Sequence, residues 1–253
     1  MSDEILVAVA DGVATVTLNR PDKRNAMNAA LLRALPAAFD DLDARTDVRV
    51  VVVRGAGPAF SSGRDLREME SRAGGEPEVE IVPVLKKVEG SRWPTLAVIH
   101  GDAIAGGCEL ALHCDLRIAA DGARLGMPLA RIGLVPGFAL GQKLVEIIGP
   151  AHTRHLLLTG RPIDAARALE IGLVEDVAAP ADLDSTLETY LDALVAGGPD
   201  AVNAAKRLVR DVAGRPPISV RDLTVERIAG ARVTAEGQEG MRAFLERRRP
   251  EWR

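Results

Sequence analysis

Between Gly101 and Glu109 the chain reads Gly-Asp-Ala-Ile-Ala-Gly-Gly-Cys-Glu, directly after the apolar run Thr95 to His100. A helix that starts on glycine offers backbone N–H groups with no intrahelical acceptor, at the positive end of the helix dipole. Glycine also lets a second group approach that backbone closely. A carbonyl oxygen seated there is polarised, and an enolate oxygen is held more tightly still. Glu109, one turn into the helix, is a carboxylate able to move a proton or orient a water. A plainer reading is a tight turn, with Glu109 merely favouring the first helical turn. These nine residues leave both open.

A second loop of the same kind is Phe60-Ser61-Ser62-Gly63-Arg64-Asp65-Leu66, with Ser62 a candidate helix cap. Two such loops, each after a buried strand, fall at the carboxyl ends of a parallel sheet, where ligands commonly bind. Other chemistries lack their signatures. There is no P-loop, dinucleotide-type glycine motif, H-E-x-x-H or G-x-S-x-G. His152 and His155 read as an exposed helix face, with no metal site expected. Cys108 and Cys114 read as buried small hydrophobes. His100 ends a buried strand as a satisfied core or loop histidine. For His113, one turn beyond Glu109, a supporting role stays open.

The elements that must hold these loops follow from periodicity. Ile5, Val7 and Val9 alternate, Asp11-Gly12 signals a hairpin, and Val16 and Leu18 resume the alternation. A helix is predicted over 28–42 with Leu32, Leu35, Phe39 and Leu42 on one face, kinked or started late by Pro36. Val50 to Val53 reads as a strand buried on both faces. Residues 56–63 read as loop, a short charged helix follows from Arg64, and 73–77 is a flexible stretch. Strands at 95–100 and 116–120 flank a glycine-punctuated loop (101–107) and a helix (107–113). Helices follow near 138–148, 150–159, 164–171, 182–196, 199–213, 218–232 and 235–249. This rhythm implies crossover connections and a mostly parallel sheet, an α/β core over 1–190 with a helical region over 191–253.

Composition excludes several function classes. The 253 residues suffice for one large domain or a core with an appendage, and 47% are hydrophobic, which argues against disorder. Acidic residues outnumber basic ones 36 to 32, giving −4 and no electrostatic footprint for nucleic acid or anionic lipid. No run of ~18 uncharged apolar residues suggests a membrane span. The acidic start Met1-Ser2-Asp3-Glu4 is unlike a secretory leader. Two cysteines fit reduced thiols in the cytoplasm. Four Phe, two Trp and one Tyr leave the interior to Ala, Val, Leu and Ile.

Taken in order along the chain, these segments resemble the crotonase (enoyl-CoA hydratase/isomerase) superfamily. Asn19-Arg20-Pro21-Asp22-Lys23-Arg24-Asn25-Ala26 is similar to its N-R-P-x-x-x-N-A segment, and Phe60 to Leu66 to its F-x-x-G-x-D-L loop. Gly101 to Leu110 resembles its G-x-x-x-G-G-G-x-E-L loop. Leu158-Thr159-Gly160 through Gly172-Leu173-Val174 and Glu239 to Phe244 resemble its later motifs. The resemblance implies a spiral of ββα turns, a homotrimer or a dimer of trimers, and coenzyme A thioesters as substrates. It implies no cofactor beyond the coenzyme A that the substrate carries. The helical region would serve oligomerisation and cover the site. Two backbone N–H groups, matched here to Arg64 and Gly106, would hold the thioester oxygen. Arg24 matches a basic position near the CoA phosphates. Ala26 and Ser62 match backbone that contacts CoA, and Asp65 and Leu66 complete the first loop's motif. The arginine-rich tail over 242–253 reads either as a solvated helix end or, as the resemblance implies, as a contact to CoA phosphates, those of a neighbouring subunit included.

The sequence departs from the pattern where hydratases carry a second glutamate. The segment here is Met127-Pro128-Leu129-Ala130-Arg131, which puts Leu129 in the second glutamate's place, and no Asp or Glu occurs from Gly122 to Val145. Gly137 stands where other branches carry an aspartate. The glycine triplet is softened to Ala105-Gly106-Gly107, and Arg64 replaces a small residue. The reading that follows is a lyase of the enoyl-CoA hydratase type, working through an oxyanion-stabilised enolate with Glu109 as acid/base. The alternatives are an enoyl-CoA double-bond isomerase, or a non-catalytic acyl-CoA-binding protein in which Leu129 lines the acyl pocket.

Overall fold

The hairpin at the amino end forms as its alternation requires. In the computed structural model, which describes residues 3–71 and 77–252, β1 (Ile5–Ala10) and β2 (Val13–Leu18) pair antiparallel. Asp11 and Gly12 turn between them at φ 50° and 82°, the left-handed pair that a two-residue hairpin needs. Asn28 caps α1 (Ala29–Ala44) by accepting a hydrogen bond from the Leu31 N–H at 2.9 Å. The predicted face, Leu32, Leu35, Phe39 and Leu42, is buried, and the helix runs through Pro36 without a break. Burial of that face against the sheet outweighs the one ladder bond that proline removes.

From there each pass of the chain repeats one plan. A long strand joins the main sheet, a short strand joins a second sheet, and a helix follows. The first pass is β3 (Val50–Gly55), β4 (Ala59–Ser61), α2 (Leu66–Ser71) and α3 (Pro77–Glu89). The second is β5 (Thr95–Ile99), β6 (Asp102–Ile104) and α4 (Gly106–Leu112). The third is β7 (Leu116–Ala120), β8 (Arg124–Gly126), a 3-10 turn (Pro128–Ile132) and α5 (Phe138–Thr159), which bends at Gly149. β9 (Ile163–Asp164), α6 (Ala165–Glu170), β10 (Asp176–Ala178) and α7 (Leu183–Ala196) follow. The main sheet runs β1-β2-β3-β5-β7-β10, parallel from β2 onward, and the second runs β4-β6-β8-β9. This is the ββα spiral that the sequence resemblance implies. The Val50 to Val53 run lies buried in mid-sheet, as its lack of polar positions demands.

Several boundaries differ from the sequence expectation. The stretches 56–63 and 101–107 are not plain loops, since they contain β4 and β6. Strands this short carry no readable alternation. The charged helix starts at Leu66 rather than Arg64, because residues 63–65 are held in an extended bridge to Met27. α3 was not anticipated. Of the stretch read as flexible, 73–76 lies outside the described residues, and Pro77 opens α3.

The chain divides into two compact units, Met1–Thr189 and Tyr190–Arg253. The second consists of the end of α7 with α8 (Pro199–Val212), α9 (Pro217–Val233) and α10 (Ala235–Glu246). α10 ends earlier than predicted, where Arg247 turns left-handed at φ 54°. The chain then folds back on its own unit. Arg248 bridges Glu239 and Glu246, and the Trp252 indole donates to the Ala196 carbonyl at 2.9 Å. Arg248 is thereby tied within this unit.

Candidate active site

The site is built by stitching 24–27 to 61–65. Asn25, fully buried and left-handed at φ 54°, is the knot. Its side chain accepts from the Arg20 N–H at 2.9 Å and donates to the Ala56 and Ala59 carbonyls, each at 2.8 Å. The Ser61 hydroxyl donates to the Asn25 carbonyl at 2.8 Å and accepts from the Gly63 N–H at 3.2 Å. Outward from this knot, the Ser62 N–H reaches the Arg24 carbonyl at 2.9 Å. The Met27 N–H reaches the Gly63 carbonyl at 2.7 Å, and the Asp65 N–H reaches the Met27 carbonyl at 3.0 Å.

That pairing decides where Arg64 points its amide. In an extended strand successive peptide groups face opposite ways. Gly63 C=O and Asp65 N–H face Met27, so the Arg64 N–H faces the other side. Gly106 stands there. A Cβ placed on Gly106 would lie 3.5 Å from the Arg64 nitrogen, and one placed on Gly63 would lie 3.0 Å from the Gly106 nitrogen. Gly106 is the first residue of α4, so its N–H has no intrahelical acceptor. The two amides matched by resemblance are thus neighbours in space.

The second loop is pinned as firmly. The Ala105 N–H donates to the Gly126 carbonyl at 2.8 Å, tying the loop to β8. Ala105 itself sits at φ 49°, ψ −121°, a conformation that suits glycine. Gly107 allows α4 to touch β4, since a Cβ there would lie 2.3 Å from the Ser61 carbonyl oxygen. Half-buried Glu109 follows. Its carbonyl takes hydrogen bonds from the His113 backbone N–H at 3.2 Å and from the His113 ring Nδ1 at 2.8 Å. A carbonyl can only accept, so Nδ1 carries the proton. Burial, opposed by that hydrogen bond, holds the His113 pKa below the usual histidine value. His113 thus bonds the Glu109 main chain through both its ring and its backbone. Burial pushes the Cys108 thiol up to about 12, which removes it as a nucleophile.

The remaining predicted residues divide by what their side chains do. Arg24 reaches Asp102 at 3.0 Å, and Arg124 grips the same carboxylate at 2.8 Å, so two exposed arginines share one acid. The Arg124 hydrogen bond leads in holding Asp102 below the usual carboxylate range. Ala26 follows in the stitched strip, its carbonyl taken by Arg20 Nη1. The Ser62 hydroxyl lies 3.4 Å from the Lys23 carbonyl and does not cap α2. That task falls to Asp65, which accepts from the Arg67 and Glu68 amides and pairs with Arg20 at 3.1 Å. Burial pushes the Asp65 carboxyl up, but Arg20 and the amides outweigh it, leaving it below the usual range. Leu66 is exposed at the start of α2. Leu129 is half-buried in the 3-10 turn after β8, its carbonyl accepting from the Leu134 N–H at 3.0 Å. Ile132 and Val135 beside it are exposed.

Among the described residues no three His, Cys, Asp or Glu side chains are grouped to hold a metal ion. No described helix is long and apolar enough to cross a membrane. Sequence reasoning gave Asn25 no role beyond its place in the Asn19 to Ala26 motif, the one signal that pointed to it, and it missed Met27, for which there was none.

Comparison with known proteins gives the family and the fold. The family described as enoyl-CoA hydratase/isomerase matches residues 8–253. YngF of Bacillus subtilis, named for that hydratase/isomerase class, is 36% identical over 257 residues, 98% of each chain. The short-chain-enoyl-CoA hydratase of Clostridium acetobutylicum is 31% identical, over 94% of this chain and 93% of its own. Among solved structures, an enoyl-CoA hydratase/carnithine racemase from Magnetospirillum magneticum superposes with a TM-score of 0.94. It shares 30% identity and covers 100% of this chain and 96% of its own. An enoyl-CoA hydratase from Mycobacterium smegmatis gives 0.92 at 34% identity, with 99% of each chain covered.

Proposed function

The chain belongs to the enoyl-CoA hydratase/isomerase family, and from that premise we propose that it hydrates enoyl-CoA thioesters, with Glu109 as the acid/base. The observation that carries this reading is the approach of the Arg64 and Gly106 amides, two main-chain donors fixed by strands and a helix start. When water adds across a double bond conjugated to a thioester, the oxygen attacks the β-carbon and the π electrons move onto the thioester oxygen. The resulting enolate collapses as the α-carbon takes a proton. Charge builds on that one oxygen in between. Donors already aimed at it stabilise this stage more than the ground state, and one such donor is commonly worth ~3–4 kcal/mol of barrier. Glu109, one turn along α4 from Gly106, removes the proton from water and returns one to carbon. The strip Arg24, Ala26 and Ser62 takes the CoA portion, with Arg24 toward its phosphates. Leu66 and Leu129 face the acyl portion, and Asp65 acts through the loop it caps. The working assembly is a homotrimer or a dimer of trimers, with residues 191–253 serving the subunit contacts.

A second reading rests on the missing acid. With Leu129 where hydratases place another glutamate, one carboxylate suffices for a double-bond isomerase, which removes and returns the same proton. It suffices equally for a protein that binds acyl-CoA without turnover. The test is direct: purified protein is mixed with crotonyl-CoA and longer enoyl-CoAs, and loss of the conjugated thioester absorbance is followed. Hydration that falls by about 10²–10⁴ in Glu109→Gln, with CoA binding retained, upholds the proposal. Binding without turnover across the panel defeats it.

A further inference from the structure

Met27 has no part in the chemistry above, yet it touches both halves of the site. It is 1% exposed, and its main chain forms the bridge that turns the Arg64 amide toward Gly106. Its side chain runs to the other half. The Met27 Cε methyl lies 2.8 Å from where a Cβ on Gly106 would stand, with the Ile81 Cδ1 methyl at 3.1 Å. The thioether and the isoleucine fill the space that any side chain at 106 would need. Gly106 is thereby packed against two methyl groups on the side from which it approaches the Arg64 nitrogen.

We propose that Met27 is a positioning residue that sets the separation of the Arg64 and Gly106 amides, its backbone holding one and its side chain the other. The inference rests on the reading of these amides as a thioester-oxygen site. Two donors serve one oxygen only when both lie at ~2.7–3.1 Å from it. A shift of about 0.5 Å in either is enough to weaken the pair. Interiors are close-packed, so a void beside Gly106 lets the start of α4 relax into it. Leucine nearly conserves the volume of methionine and keeps that backing.

The experiment compares wild type, Met27→Leu, Met27→Val and Met27→Ala, each checked for folding by circular dichroism and thermal melting. Two quantities are read: kcat against KM on crotonyl-CoA, and the infrared C=O stretch of a bound ¹³C-labelled thioester. The expected result is a fall in kcat of about tenfold for Met27→Ala with KM within about twofold, since CoA contacts are unaltered. The carbonyl downshift shrinks in the same variant, Met27→Val is intermediate, and Met27→Leu keeps both wild-type values. Should the alanine variant not fold, the valine variant carries the comparison. A kcat and a downshift that survive truncation overturn the assignment of Met27 alone. A wild-type protein that binds thioester with no downshift, or binds none, overturns the reading of the amides and the assignment with it.

Discussion

The second and third passes of the spiral share one plan and end in opposite ways. After β6 a single residue, Ala105, separates the strand from α4, and both glycines that follow are buried. After β8 the chain makes a 3-10 turn and reaches α5 only at Phe138, exposing Ile132, Leu134 and Val135 on the way. The second pass offers backbone atoms that close packing fixes. The third offers aliphatic side chains, several of them exposed. On the proposed reading, the oxyanion donors of such a site are main-chain groups that a change of side chain does not remove, while its acid is a side chain that a single substitution replaces. Leu129 lies on the third pass, in its 3-10 turn.

The largest effect that separates the two passes comes from adding one methyl group to each. A Cβ at Gly107 meets the Ser61 carbonyl oxygen at 2.3 Å, a backbone atom that cannot swing aside. Gly107→Ala is expected to cost about 3 kcal/mol or more in urea unfolding and to remove activity. Gly133, on the other pass, turns at φ 72° into open space. Gly133→Ala should cost only ~1–2 kcal/mol, the strain of a left-handed alanine. Equal losses in the two unfolding curves break the contrast.

Next in size is the attempt to restore an acid to the third pass. Leu129→Glu is expected to raise enoyl-CoA hydration by about tenfold or more, since a positioned acid or base is worth roughly 10²–10⁴. A rate unchanged or lowered in the absorbance assay shows that the missing carboxylate does not limit this protein.

How far the sequence revealed these regions follows from how each is held. The hairpin, α1 and the Val50 to Val53 strand were legible because burial imposes a period of two, of 3.6, or a continuous apolar run. The amide pair was approachable because its glycines answer to contacts that only glycine permits. β4, β6 and β8 were not legible, since three residues on a second sheet leave no period. Nor was the change of cap from Ser62 to Asp65, which depends on Arg20 arriving from 45 residues away. Met27 was silent for another reason: a methionine filling a gap looks like any core residue until the gap is seen.

A smaller effect concerns acid. Asp65 has its folded pKa lowered, so its contribution is complete above the ordinary carboxylate value of about 3.9 and is lost as pH falls through the lower folded value. Asp65→Asn keeps an acceptor for the α2 amides but gives up the charge beside Arg20. Its stability deficit is expected to be present at neutral pH and to vanish once pH falls below the lowered folded value, as wild type also loses the charge. A deficit that stays constant down to that pH, measured by urea unfolding, removes the ion pair from the account of this loop.

The smallest effect runs in the favourable direction. Ala105 is held at φ 49°, ψ −121° by its bond to Gly126 and by the helix start that follows, a conformation costing an L-residue ~1–3 kcal/mol. Ala105→Gly removes that strain and returns part of it as added freedom in the unfolded chain, ~0.4–1 kcal/mol. The net expectation is a gain of about 1 kcal/mol, a rise of roughly 2–4 °C in Tm for a chain of this size, with kcat within about twofold of wild type. The Ala105 Cβ also lies 3.1 Å from where a Cβ on Gly63 would stand, so its methyl group packs between the two loops. If Ala105→Gly lowers Tm or kcat instead, that contact outweighs the strain, and the glycine-rich pass depends on a side chain after all.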